Sequence, residues 1–138
     1  MASETRVFWL YGNSGTGKTR LARDKLEASF GEYGFYVFPA FNSFGEFACY
    51  NLERGMLIDD YDSGEIPAEK LVGIITRNPP YVDPGYGQPM RPLRTELVYV
   101  TSLRPPWDHF PQGSPILGMI NAVDMNALSG VLDAIMAE

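Results

Sequence analysis

A chain of 138 residues with 45% apolar and 13% aromatic side chains can build one domain with its own core and is not a disordered chain. Its net charge of −6 argues against a wrapper of duplex nucleic acid; no apolar run approaches the length of a membrane span, and the five apolar residues after Arg6 are too few for a signal peptide. The single Cys49 cannot form an internal disulfide, fits a reducing compartment, and reads as a small buried apolar residue.

The first element is Val7-Phe8-Trp9-Leu10-Tyr11, a short run of strand-forming residues. It leads into Gly12-Asn13-Ser14-Gly15-Thr16-Gly17-Lys18-Thr19, which fits G-x-x-x-x-G-K-[ST], the Walker A phosphate loop. Glycines in such a loop let successive backbone N–H groups turn inward onto phosphate oxygens. The helix that follows adds the positive end of its dipole. Lys18 is placed to reach β- and γ-phosphates, and the Thr19 hydroxyl to bind Mg²⁺. The spacing predicts a helix from Thr19 to about Phe30, with Leu21, Leu26 and Phe30 apolar and Gly31 as its stop. Arg20, Arg23, Asp24, Lys25 and Glu27 read as its solvated face.

Gly34 to Phe38 reads as a second strand closed by Pro39, and Phe41 to Tyr50 as loop or short helix. Met56-Leu57-Ile58-Asp59-Asp60 is an apolar strand ending in paired acids, the Walker B pattern. In a nucleotide site Asp59 would hold Mg²⁺ through its water shell opposite Thr19. Asp60 would orient and deprotonate the attacking water. Asp62 is a weaker competitor for either role. Ser63 to Pro67 is a turn, and Ala68 to Arg77 a helix through Leu71, Ile74 and Ile75, ended by Asn78-Pro79-Pro80.

Tyr81 to Arg94 carries Asp83-Pro84-Gly85-Tyr86-Gly87 and two further prolines, and reads as a hairpin or protruding loop. Leu97 to Ser102 is the next strand, so strands alternate with helices and predict an α/β fold with a mostly parallel sheet flanked by helices. Pro105-Pro106-Trp107 breaks the pattern. Ser114-Pro115 can start a short helix through Ile120. Asp124 can cap a second, with Met125, Leu128, Leu132, Ile135 and Met136 on one face and Gly130 weakening it. Residues 1–110 are thus expected to form the core, and 111–138 a C-terminal helical extension of the same domain. Residues 105–138 hold four acids and no Lys or Arg, so any anionic ligand must be met by the first part of the chain.

Three stretches, GNSGTGKTRLAR, GMLIDDYDSGEIP and LVYVTSLRPPWDHF, resemble in order and spacing the helicase domain of replication-associated (Rep) proteins of circular single-stranded DNA viruses and related plasmids. The resemblance covers about Val7 to Phe110. These are superfamily 3 helicases, with an AAA+-like P-loop NTPase fold. It implies an ATPase and DNA helicase that binds ATP and Mg²⁺ between subunits of a ring, usually a hexamer, and moves along single-stranded DNA with 3′→5′ polarity. Gly12, Gly15, Gly17, Lys18 and Thr19 take the Walker A roles, Asp59 and Asp60 the Walker B roles, and the strand ending at Thr101-Ser102 matches motif C. The nicking domain that precedes this module in the family's full-length proteins has no counterpart here, which implies a separated helicase segment or a short stand-alone relative. Location would be the host nucleus for a virus of eukaryotes and the cytoplasm otherwise, not outside the cell.

Three departures from the family pattern stand in the sequence. Leu103 replaces the Asn that ends motif C, leaving Ser102 as the polar substitute. The pore-loop Lys is missing, leaving Tyr86 to stack on a base and Arg91 or Arg94 to meet phosphate; a surface hairpin with ordinary arginines reads equally well. No Lys or Arg follows Arg104, which leaves it the only candidate for a late arginine finger. Two alternatives compete with the motor: a degenerate P-loop module that binds nucleotide and assembles without productive hydrolysis, and a small-molecule kinase, which the adjacent acids fit less well. His109 is assigned neither metal nor catalysis.

Overall fold

The structure, a computed structural model, describes residues 5–38, 47, 49–61 and 68–127. Strand β1 (Arg6–Tyr11) runs directly into the glycine-rich loop and helix α1 (Lys18–Phe30). There follow β2 (Phe35–Val37), β3 (Gly55–Ile58), α2 (Ala68–Thr76), the short β4 (Tyr81–Val82) and β5 (Arg91–Pro92), β6 (Leu97–Ser102), a single turn α3 (Pro106–His109), a 3-10 helix (Pro115–Met119) and β7 (Ile120–Asp124). The five longer strands form one sheet in the order β2-β3-β6-β1-β7. Every pairing in it is parallel, so all five strands end at the same edge. That edge gathers Gly12, Asp59, Leu103 and the residues after Asp124, although the first and last of these lie more than 100 residues apart in the chain. In open parallel sheets the carboxyl edge is where ligands bind.

Side chains alternate along each strand, and the sheet is covered on both faces. Val7, Trp9, Met56, Ile58, Val98 and Val100 face a cluster with Leu71, Ile74 and Ile75 of α2 and with Phe110 and Ile116. Leu10, Leu57, Leu97 and Tyr99 face Ala22 and Leu26 of α1 and Met125. β6 is buried along its whole length, as a central strand between two neighbours must be.

Trp9 is the largest wholly buried side chain among the described residues. Its ring meets Tyr61, His109 and Phe110, and its indole N–H donates to the Arg104 carbonyl at 2.9 Å. It therefore ties the segment after β6 to the core. Trp9→Phe keeps most of the packing but orphans that carbonyl, and a thermal or denaturant melt is expected to show a loss of about 1–3 kcal/mol.

The elements through β6 follow the sequence expectations, and the sheet is parallel as expected. Two expectations are corrected. Among the described residues beyond 110, the short helix expected from Ser114-Pro115 is present as a 3-10 helix, but it leads into edge strand β7, where no strand was expected, so the sheet is completed beyond residue 110. β1 would otherwise present an unpaired edge, and β7 satisfies it in register from Val7↔Ile120 to Tyr11↔Asp124; an open row of N–H and C=O groups is a liability. Asp124 does cap the helical turn after β7, since its Oδ1 accepts the Asn126 and Ala127 N–H groups at 3.0 and 3.3 Å. Cys49 is exposed rather than buried, because it lies in the irregular link between β2 and β3. Asp62, the turn at 63–67, most of 41–48 and the proposed face of Leu128, Leu132, Ile135 and Met136, with Gly130, lie outside the described residues.

Candidate nucleotide-binding site

The Gly12–Thr19 loop curls back over the end of β1. Gly12 has φ 150°, and a Cβ there would stand 3.0 Å from Asn126 Oδ1 and 3.1 Å from its backbone nitrogen; the close approach requires glycine. Gly17, at φ 85°, is the left-handed residue that starts α1. The Lys18 ammonium donates to the Gly12 and Asn13 carbonyls at 2.7 and 3.0 Å, and Thr16 Oγ1 donates to Asn13 O at 2.8 Å. These bonds close the loop into a ring, with Ser14, Gly15, Gly17, Lys18, Thr19 and Arg20 on the wall of an open cavity of about 490 Å³. Arg20, read from sequence as solvated surface, is a second cation on that wall.

The acid pair meets this loop. Thr19 Oγ1 donates to Asp59 Oδ1 at 2.8 Å, and Asp59 and Asp60 line the same cavity as Lys18. Asp60 has φ 57°, a left-handed conformation that turns the chain sharply at the end of β3. β6 lies between β1 and β3, and its penultimate residue spans the gap. Thr101 Oγ1 donates to Asp59 Oδ1 at 2.5 Å and accepts the Asp60 N–H at 2.8 Å. Thr101 was visible in the sequence only as part of a strand end.

The segment after β6 forms the remaining wall. Ser102 and Leu103 line the cavity. Ser102 is buried, and its Oγ lies 3.2 Å from His109 Nε2 and accepts the Arg104 N–H at 3.0 Å. Leu103 is 52% exposed and presents an apolar side chain there. Arg104 is exposed and is not among the residues lining the cavity. His109 packs against Trp9 and Tyr61 and reaches the cavity through Ser102. At the end of β1, Tyr11 stacks edge-on with Trp107. Its phenol is held above the usual range by burial and by the Asp124 carboxylate.

Asn126 is a site residue that sequence reasoning missed. Its Oδ1 accepts the Asn13 N–H at 2.9 Å across 113 residues, so the helical turn after β7 latches the Gly12–Thr19 loop. Asn126→Ala is expected to speed hydrogen exchange at the Asn13 amide about three- to tenfold by loosening that loop, read by NMR, with little change in melting temperature.

The hairpin residues do not join this cavity. β4 and β5 form a separate antiparallel pair. Tyr86, at φ 57°, is 73% exposed at its tip, and Arg94 is exposed. Arg91 is different: its guanidinium donates to the Tyr50 carbonyl and, at 2.8 Å, to Gln88 Oε1, and so braces the hairpin on the chain itself. A larger cavity of about 860 Å³ opens at the other end of the sheet, beside Arg6, Arg77 and Asn121, but its lining holds no acid pair and no glycine-rich loop.

Thr19 Oγ1 and Asp59 Oδ1 are hard oxygens of the kind Mg²⁺ takes. Among the described residues no group of three or more His, Cys, Asp or Glu gathers as a metal site. Nucleotide-bound Mg²⁺ needs only one or two protein oxygens, because phosphates and waters complete its shell. The donor set therefore fits. Also among the described residues, no helix is long and apolar enough to cross a membrane. The chain matches no protein-family model and no curated protein, so its function has to be read from the chemistry of the site.

Proposed function

We propose that the chain binds ATP and Mg²⁺ in the cavity at the carboxyl edge of its sheet. It hydrolyses the ATP as a P-loop motor module of the superfamily 3 helicase type, acting on single-stranded DNA as a ring of identical subunits. The observation that carries this reading is the 2.8 Å bond from Thr19 Oγ1 to Asp59 Oδ1. A glycine-rich loop alone occurs in many turns, and an acidic strand end alone is common. Their meeting across 40 residues, with Lys18 on the same wall, is what triphosphate chemistry requires.

The roles follow from charge and reach. Backbone N–H groups of Ser14, Gly15, Thr16, Gly17 and Lys18 cradle the phosphates, the Asn13 N–H being taken by Asn126, and Lys18 and Arg20 oppose their negative charge. Thr19 and Asp59 would hold Mg²⁺, which when bound would further neutralise the β- and γ-phosphates. Asp60 accepts the proton of the attacking water. Ser102 lines the same cavity and is the polar residue of motif C nearest the substituted Leu103. Arg104 lies outside the chain's own cavity, as a finger acting on a neighbouring subunit would. At the hairpin, exposed Tyr86 offers a ring for stacking on a base and exposed Arg94 a charge for the DNA backbone. Arg91 braces the hairpin through Tyr50 and Gln88.

One observation favours a second reading, a module that binds nucleotide and assembles without productive turnover: the half-exposed Leu103 on the cavity wall has a side chain that cannot hydrogen-bond to water or phosphate. Steady-state ATP turnover with and without single-stranded DNA separates the readings. The motor predicts turnover that DNA stimulates. Binding without turnover would support the second reading, and phosphate appearing on an added small-molecule acceptor would replace both with a kinase.

A further inference from the structure

We infer that Thr101 is the positioning residue that fixes the metal-binding acid and the base relative to each other. The inference rests on the nucleotide reading of the cavity. Thr101 follows Val100, the β6 partner of Ile58 at the end of β3. Leu97 and Tyr99 point to the α1 side of the sheet, and alternation carries Thr101 to that same side, where the glycine-rich loop lies. It is 2% exposed, so its hydroxyl has little water to turn to.

A hydroxyl has one proton to give and lone pairs to accept with. Thr101 gives its proton to Asp59 Oδ1 and takes one from the Asp60 amide. Both ends are therefore committed, and the side chain is locked. The consequence reaches both acids by different routes. For Asp59 the bond fixes the carboxylate, whose Oδ1 also receives the Thr19 hydroxyl; one oxygen is thus steered by two threonines from different elements. For Asp60 the bond is to the backbone, and it holds a non-glycine residue in the left-handed conformation. Such a conformation is costly and persists only where surrounding bonds impose it. Without the Thr101 hydroxyl, Asp60 relaxes toward ordinary backbone angles, and its carboxylate swings away from the γ-phosphate side of the cavity.

The test uses Thr101→Val, which keeps the shape and removes the hydroxyl, and Thr101→Ser, which keeps the hydroxyl. Partners of this kind typically carry about 10- to 100-fold effects. Thr101→Val is expected to raise the half-saturating Mg²⁺ concentration for ATP turnover about tenfold and to lower turnover at saturating Mg²⁺ about tenfold or more. Metal-free ATP affinity should stay within about threefold, and Thr101→Ser should restore all three to near wild type. Unchanged Mg²⁺ dependence and turnover in Thr101→Val would overturn the inference, as would failure of Thr101→Ser to rescue. Amide hydrogen exchange at Asp60 needs no nucleotide. It should quicken about tenfold or more in Thr101→Val, or in Thr101→Ala if the valine variant does not fold, and equal exchange rates would also overturn the inference. A wild-type protein that binds no nucleotide yet shows the exchange effect would instead sink the nucleotide reading and leave the Thr101 geometry standing.

Discussion

Asp60→Asn is expected to bind ATP within a few-fold of wild type while losing about 10²–10⁴-fold in turnover. The substitution preserves size and the backbone bond to Thr101 Oγ1, so the left-handed turn at the end of β3 survives. It removes only the capacity to accept a proton. Asp60 shares the cavity with Lys18 and Thr19, and Asp59, its neighbour, is tied to two hydroxyls by Oδ1. On the proposed reading, that division leaves Asp60 as the carboxylate for water. Single-turnover kinetics with bound nucleotide quantify the loss, and full turnover in Asp60→Asn would transfer the role of base elsewhere.

Lys18→Ala is expected to act earlier, on binding. The ammonium bridges the Gly12 and Asn13 carbonyls, so its removal loosens the loop and also deletes a cation from the phosphate wall. Deleting one preorganised donor from a charge-stabilising site costs about 10²–10³ in rate, and ATP affinity should fall about tenfold or more with it. Arg20 remains on the wall, but it lies on the exposed side of α1 and does not share the bonds to the loop carbonyls that hold Lys18 in place. Fluorescent-nucleotide titration measures the loss, and unaltered affinity would show that the phosphates lie elsewhere.

The two elements that carry the proposed chemistry were legible in the sequence because their signals are local. β1 and β3 are uninterrupted apolar runs, as strands buried on both faces are, and each ends on a distinctive polar pattern. β7 was not legible. Ile120-Asn121-Ala122-Val123-Asp124 sits at the sheet edge with only partial burial, so it lacks an apolar run, and Asp124 looks like a helix cap, which it also is. The bonds that shape the site are long-range. Asn126 to Asn13 spans 113 residues, and Thr101 to Asp59 spans 42; no periodicity announces either. Arg91 gains a long-range partner as well: its charge suggested DNA, and the fold also sets it on the Tyr50 carbonyl, a partner that only tertiary structure supplies.

The central claim is that a triphosphate with its metal sits between the Gly12–Thr19 loop and the acids that close β3. Paramagnetic broadening of backbone amides by Mn²⁺·ATP tests it most directly, since Mn²⁺ substitutes for Mg²⁺ at oxygen sites. Broadening should centre on Thr19, Asp59 and Asp60, fade along α1, and vanish when excess Mg²⁺·ATP competes. Resonances at those positions that stay sharp while others broaden, such as those around Arg6 and Asn121 at the far end of the sheet, would contradict the account.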